Sequence, residues 1–592
     1  MRRVVSTFAV IVSAGILFAG TVFGASSQAQ SAEQRGSVSR TQFTGSASVA
    51  DAELLVTAHH GMVVTAQHLA TQVGVDILKR GGNAVDAAVA VGYALAVVDP
   101  CCGNIGGGGF MTIHLANGNN VFVDFREKAP FGATPTMYQN SEGQVVNRRS
   151  LDTYLGVGVP GTVMGLDEAL KKYGTMSLQQ VIAPAIKLAK EGFILEPGDV
   201  KLLDTSTAKF QKYPNVAAIF LNHGQPWQTG QRLVQTDLAH TLELISEGGT
   251  KVFYDGPIAR DLVKASEANH GLFTLKDFRD YTAPITEPVE CKYHGYTIVS
   301  APPPSSGGVT MCETLQIIAP YPFTQWGFHS VKSAHYFIEA ERHAFADRNT
   351  YLGDPAFIHN PIAELLSASH AAKIRAQIQP DKATPSSEVK GSLGPYQGNN
   401  TTSYSIVDAH GNAVSVTYTV NSFFGIKQIA RNTGFFLNNE MNDFTSKPGV
   451  PNQFGLVQGK ANAIEPGKRP LSSMTPTIVT HDGKLFMVTG SPGGSTIIST
   501  TMESILNVVD YGMNIKQAID APRIHMQWMP DLVFMEPNSF KPDVLSALEK
   551  MGYQFHTFGH LGDVEAILVN PKTGLLEGVN DPRYPAGLAA GY

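Results

Sequence analysis

The sequence predicts a globular fold of mixed strands and helices, and three observations lead to it. Short β-branched runs alternate with longer runs at helical spacing along the chain. Two period-2 segments flank a Gly411-Asn412 turn, the pattern of an antiparallel hairpin. The composition over 592 residues, 43% hydrophobic and 16% charged, is that of a globular chain. It excludes a disordered chain and a coiled coil. A net charge of −6 leaves no electrostatic footprint for a nucleic-acid partner.

Arg2 and Arg3 open the chain, and no further charge occurs before Glu33. The apolar centre runs from Phe8 to Ala25, and small residues follow around Ser27-Gln28-Ala29. This is the layout of a secretory signal peptide, residues 1–29, with its end between 25 and 32. A retained anchor is the competing reading; Gly15, Gly20, Gly24 and the small-residue exit favour cleavage. No other uncharged run approaches the ~20 residues that a membrane helix needs. The mature protein is therefore expected to be periplasmic or secreted, with no membrane association once the signal is removed.

Met62-Val63-Val64 is a short strand, and Leu69 to Lys79 a helix ended by Gly81-Gly82. Asn83 is a suitable N-cap for a helix over Ala84–Val98, whose Ala and Val content on all sides predicts burial. Ser177 and Gln180 form a capping box for a helix to about Lys190, with a kink expected at Pro184. Val331 to Asp347 is a long helix. From about Pro380 to Asn400 the texture turns to Pro, Ser, Gly and Asn, as in a linker or exposed loop. The hairpin Thr401–Asp408 and Ala413–Val420 follows at once. Strands at Leu485–Thr489, Leu532–Met535 and Glu565–Val569 then alternate with helices at Ser495–Asp510 and Pro542–Met551.

Four cysteines, Cys101, Cys102, Cys291 and Cys312, are too few for a disulfide framework. They leave room for one bridge whose partners the sequence does not choose. There is no G-x-S-x-G, H-E-x-x-H or C-x-x-C. His59 and His60 are adjacent, and neighbours in a strand face opposite ways. No metal and no cofactor is expected.

Two glycine-rich loops remain. Gly106 to Gly109 lacks the residues of a phosphate cradle and reads as a tight turn against another backbone. Ser491-Pro492-Gly493-Gly494-Ser495 joins a strand to a helix, where paired N–H groups stabilise an anion or a developing oxyanion. The boundary at Asn400-Thr401 is the third point of interest. A Thr hydroxyl needs an adjacent base, and a free α-amine with a pKa of about 7.7–8.0 can be that base. Thr401 lies inside the chain, so this chemistry requires a cut before it. Alone, a Thr that opens a strand is ordinarily structural.

Its surroundings change that reading. Thr401-Thr402-Ser403-Tyr404-Ser405-Ile406-Val407-Asp408 and Asn412 to Thr419 resemble the processing site of the γ-glutamyltransferase (γ-glutamyltranspeptidase) family. Asp124-Phe125-Arg126-Glu127, Ala344-Phe345-Ala346-Asp347-Arg348, Tyr351 to Pro355, Leu437 to Phe444, Lys468 to Pro476 and Gly490 to Gly494 resemble further family motifs, in family order. The matches run from about residue 58 to Tyr592.

The resemblance implies an α+β class, the N-terminal nucleophile hydrolase fold, a four-layer αββα sandwich. It implies autocatalytic processing at Asn400-Thr401 into a heterodimer, with a large subunit over 30–400 and a small one over 401–592. Thr401 would be the nucleophile, assisted by Thr419, with Gly493 and Gly494 supplying oxyanion N–H groups. Arg126, Ser472 and Ser473 would bind the substrate α-carboxylate, and Asn421, Glu440 and Asp443 its ammonium. The implied substrates are glutathione and other γ-glutamyl compounds, with water, amino acids or dipeptides as acceptors. The alternative within the fold is an acylase for glutaryl or cephalosporin side chains; an acid at Asp443 disfavours it, since a glutaryl group has no amine to pair. Lys447 to Leu456 resembles the bacterial lid loop, with Phe454 where many members carry Tyr.

Overall fold

The computed structural model describes residues 55–146, 148–389 and 401–592. The expected signal peptide and Asn400 lie outside the described residues. Two seven-stranded sheets dominate. The first runs, edge to edge, Leu588–Gly591, Met62–Thr65, Thr402–Val407, Ala413–Thr419, Gly108–His114, Asn120–Phe125, Ile285–Thr286. The second runs Leu55–Ala58, Leu576–Asn580, Glu565–Val569, Lys484–Thr489, Thr477–His481, Tyr296–Ser300, Val289–Tyr293. Every pairing within both sheets is antiparallel. Helices cover the outer face of each sheet, which gives the four-layer αββα arrangement.

The hairpin is paired as its pattern predicts, Thr402 opposite Tyr418 and Val407 opposite Ala413. Both of its faces are buried. Tyr404, Ile406, Val414, Val416 and Tyr418 pack among the helices. The Tyr404 and Tyr418 hydroxyls donate to Ala88 and Gly92 carbonyls of the helix Ala84–Val98, each at 2.9 Å. That helix is buried along its whole length, as its composition requires. The other parity faces the second sheet. There Ser405 donates to Glu565 O at 2.7 Å and Ser415 to Thr489 O at 2.9 Å. Further along, Val407 and Ala413 join Ile478, Val488 and Ile567 in an apolar inter-sheet layer. Polar residues in a period-2 strand are thus buried here too, with the Ser405 and Ser415 hydroxyls satisfied across the sandwich. Thr401 and Thr419 share this inward parity at the open end of the sandwich.

Two elements depart from expectation. The helix from Val331 continues to Tyr351, because Arg348 and Asn349 are still buried and only Leu352 turns extended. The helix after the second glycine loop starts as a 3₁₀ turn, Gly494–Thr496, before Ile497–Val509. The cysteines form two bridges where the sequence left room for one, Cys101–Cys102 and Cys291–Cys312. Val420 and Phe424 donate backbone N–H groups to the carbonyls of Cys102 and Cys101, at 3.0 and 2.7 Å. Among the described residues, no helix is long and apolar enough to cross a membrane.

The first glycine loop is the tight backbone approach its sequence suggests. A Cβ on Gly106 would stand 2.0 Å from Phe436 O, and one on Gly107 1.8 Å from Thr419 O. Gly107→Ala should therefore displace Thr419. Overpacking of this kind costs about 1–3 kcal/mol or more. The expected outcome is a lowered melting temperature together with reduced activity, read by calorimetry and a turnover assay.

Candidate active site

A cleft is bordered by Arg126, Thr401, Thr419, Asn421, Glu440, Asp443, Ser472, Ser473 and Gly494. Of the expected site residues in the described chain, only Gly493 stands behind this wall, one residue from Gly494. Thr401 Oγ1 donates to Thr419 Oγ1 at 3.3 Å, and Thr419 Oγ1 accepts the Asn421 N–H at 2.8 Å. Asn421 sits at φ 73°, so the chain turns sharply just after the strand that carries Thr419. Gly493 (φ 141°) and Gly494 (φ 60°) bend the second glycine loop in conformations that favour glycine.

Arg126 leaves the strand Asn120–Phe125 and is fully buried. Its Nε donates to Pro470 O at 3.0 Å, Nη1 to Glu440 and Nη2 to Asp443 at 2.6 Å. Glu127 lies 3.6 Å from Nη1. Burial works against the guanidinium charge, but Glu440, Asp443 and Glu127 outweigh it and hold its pKa above the ordinary value. The acids are affected in turn. Burial pushes Glu127 up to about 7, against the pull of Arg126. Burial also raises Glu440 well above the usual carboxylate range, with Glu127 and Asp443 adding to the effect. One guanidinium faces three carboxylates, so the cluster retains a proton near neutrality.

The roles implied by resemblance meet two differences. The fork expected for a substrate carboxylate already engages Glu440 and Asp443. The Asn421 carbonyl expected for an ammonium accepts from Gln453 Nε2 at 2.7 Å, while its Nδ2 donates to Asn439 O at 3.0 Å and Asp443 Oδ1 at 3.4 Å. Ser472 and Ser473 do face the cleft, and Ser472 Oγ accepts the Met474 N–H at 3.1 Å.

The segment expected to form a lid reaches the cleft through Phe454 and Leu456. A Cβ on Gly494 would stand 2.5 Å from the Phe454 ring, so the ring is seated on that glycine. The Phe454 carbonyl accepts from Gln527 Nε2 at 3.0 Å. Gln453 also accepts from Ser422 Oγ at 2.7 Å. Sequence reasoning did not single out Gln453, Gln458, Glu127 or Arg348 as site residues. Arg348 and Glu127 lie within quoted motifs, but no chemistry was attached to them. Gln453 and Gln458 are polar residues of a loop, a setting in which spacing carries no signal.

The model of the family described as "Gamma-glutamyltranspeptidase" matches residues 70–591. A "Glutathione hydrolase proenzyme" of Pseudomonas sp. (strain A14) is 56% identical, covering 91% of this chain and 95% of that one. That of Escherichia coli (strain K12) is 48% identical, covering 91% and 93%. Among solved structures, a cephalosporin acylase from Bacillus halodurans superposes with a TM-score of 0.80 at 28% identity, covering 92% of this chain and 98% of that chain. A Helicobacter pylori gamma-glutamyltranspeptidase chain gives 0.54 at 44% identity, covering 56% and 96%. With a family model spanning most of its length and curated relatives this similar, the chain belongs to the γ-glutamyltranspeptidase family.

Proposed function

We propose that this chain is a γ-glutamyltransferase and glutathione hydrolase that works through an N-terminal threonine. The observation that carries the reading is the placement of Thr401 Oγ1 beside Thr419 Oγ1 in a cleft walled by Arg126, Asp443, Ser472, Ser473 and Gly494. In maturation, Thr401 Oγ attacks the Asn400 carbonyl and forms an ester. The Asn400–Thr401 C–N bond breaks as that ester forms, which frees the Thr401 α-amine; water then hydrolyses the ester and restores the hydroxyl, leaving 30–400 and 401–592 as subunits. In turnover, that amine accepts the Thr401 hydroxyl proton as Oγ attacks the γ-carbonyl of the donor. Gly493 and Gly494 N–H groups stabilise the oxyanion. The C–N bond breaks, the leaving amine takes the proton, and a γ-glutamyl ester of Thr401 remains. Water completes hydrolysis; the amine of an amino acid or dipeptide completes transfer. Thr419 positions the hydroxyl.

Donor recognition is a charge exchange in this cleft. The α-ammonium takes contacts from Asp443 and Glu440, which releases Arg126 to meet the α-carboxylate. A glutaryl group has no ammonium and would leave those acids facing an uncharged chain. This favours γ-glutamyl donors over glutaryl ones. The charged, small-exit N-terminus supports export to the periplasm or medium.

Thr401→Ala should abolish both maturation and turnover, and Thr401→Ser should keep part of each. A denaturing gel with N-terminal sequencing checks this: the wild type should yield a fragment beginning Thr-Thr-Ser-Tyr, and the Ala variant should stay uncut. Cleavage of the Ala variant at the same bond would refute self-processing.

Asp443→Asn should lower kcat/KM for glutathione by about 10- to 100-fold, the scale of a hydrogen bond to a charged group. Glutaryl-amide cleavage should rise or appear, and kinetics on both substrates give the comparison. Glu127 should impose a pH dependence. Its carboxyl is neutral below about 7 and charged above, where it draws Arg126 away from the donor. KM for a γ-glutamyl anilide should therefore rise severalfold from about pH 6 to about pH 8. Glu127→Gln should flatten that rise.

A further inference from the structure

Arg348 is a second guanidinium at the cleft, and its situation is the reverse of that of Arg126. It projects from the last turn of the helix Val331–Tyr351, is 1% exposed, and borders the cleft. Its hydrogen-bond partners among the described residues are all neutral. Nε donates to Ser306 Oγ at 3.0 Å, and Nη1 to Asn349 Oδ1 at 2.9 Å and Gln458 Oε1 at 2.7 Å. Nη2 donates to Ser473 Oγ at 3.2 Å. No carboxylate among the described residues lies in ion-pair contact with it, and burial pulls its pKa down, with Asp443 only partly offsetting the loss. Desolvating an unpaired cation costs several kcal/mol, so a buried charge without a counter-ion at the wall of a cleft calls for one from the ligand.

The link through Ser473 gives that charge a direction. A hydroxyl has one hydrogen and two lone pairs. Because Ser473 Oγ accepts from Arg348, its own hydrogen is left to turn into the cleft. The same guanidinium also acts on the acid side of the site. Gln458, which accepts from Arg348, donates Nε2 to Asp443 O at 2.9 Å.

We propose that Arg348 is a positioning and specificity-determining residue for the donor: it turns Ser473 into a hydrogen-bond donor and is the uncompensated positive charge behind it that selects donors carrying an α-carboxylate. The proposal rests on the γ-glutamyl reading above and adds to it the residue that supplies the net charge. Arg126 cannot do so alone, because three carboxylates surround it. An anionic donor enters a cleft in which Arg348 is the one cation lacking an acidic partner among the described residues.

Asn349 provides a test that leaves Arg348 untouched. Its Oδ1 faces Arg348, and its Nδ2 is buried with no hydrogen-bond partner. Asn349→Asp therefore gives Arg348 a counter-ion of the same shape without removing a bond. The matured enzyme is assayed with γ-glutamyl-p-nitroanilide and with the same anilide whose α-carboxylate is a carboxamide. In Asn349→Asp, KM for the acid donor should rise about tenfold or more, with kcat held within about threefold. The carboxamide donor should keep its kcat/KM. Arg348→Gln should show the same split, and Arg348→Lys should recover part of the acid-donor KM. Unchanged acid-donor KM in Asn349→Asp overturns the proposal, as does an equal fall for both donors. An Asn349→Asp chain that fails to mature also overturns it, since the isosteric acid must fit beside the guanidinium. Absence of γ-glutamyl turnover in the wild type would instead remove the reading on which the proposal stands.

Discussion

Burying a guanidinium costs several kcal/mol of desolvation, which negative charge in contact offsets. Arg126 meets this cost with Glu440 and Asp443, and the rest of the cleft is arranged around that cluster. Asn421 is held between Asp443, Asn439 and Gln453. Asn462 and Gln458 grip the Asp443 carbonyl at 2.7 and 2.9 Å. Lys468-Arg469-Pro470 supplies the carbonyl for Arg126 Nε, and Arg469 itself pairs with Asp124 at 3.3 Å. Segments far apart in sequence are tied to one another because one charge had to be satisfied.

The scaffold supplies the other half of the geometry. Strand parity sends Ser403, Ser405, Ser415 and Thr417 into the space between the sheets; Ser405 and Ser415 bond across it, while Ser403 bonds within the hairpin to Val416 O and Thr417 Oγ1. The same parity, one step beyond the regular pairing, aims Thr401 and Thr419 into the cleft. The Thr401 hydroxyl thus sits at the end of a hairpin buried on both faces, on a rigid element. The glycine loop Gly106–Gly109 lies against that hairpin at a distance no side chain allows.

Much of this was legible in the sequence. The hairpin, the capped helices at Asn83 and Ser177, and the strands at 485 and 565 follow from periodicity and capping, which are local. Thr401, Arg126, Asp443 and the Ser472-Ser473 pair followed from motifs, not from spacing. What stayed hidden is non-local. Nothing in the sequence around Arg348 says that its partners are neutral, and nothing around Arg126 says that Glu440, 314 residues on, already holds its Nη1. The disulfide partners were equally out of reach, since Cys291 and Cys312 meet only when a strand and a helix pack.

The order of strands in the first sheet has a consequence for a chain divided before Thr401. Leu588–Gly591 pairs with Met62–Thr65, which pairs on its other edge with Thr402–Val407. Ala413–Thr419 then pairs with Gly108–His114. Reading across the seven strands, the two pieces interleave: late, early, late, late, early, early, early. The second sheet is mixed in the same way, Leu55–Ala58 against Leu576–Asn580 and Tyr296–Ser300 against Thr477–His481. Separating them would mean pulling strands out of the middle of both sheets, so dilution cannot part them as it parts ordinary subunits. Such a nick would remove a covalent bond but leave the shared sheets intact, and reassembly from separated pieces would amount to folding the whole protein anew.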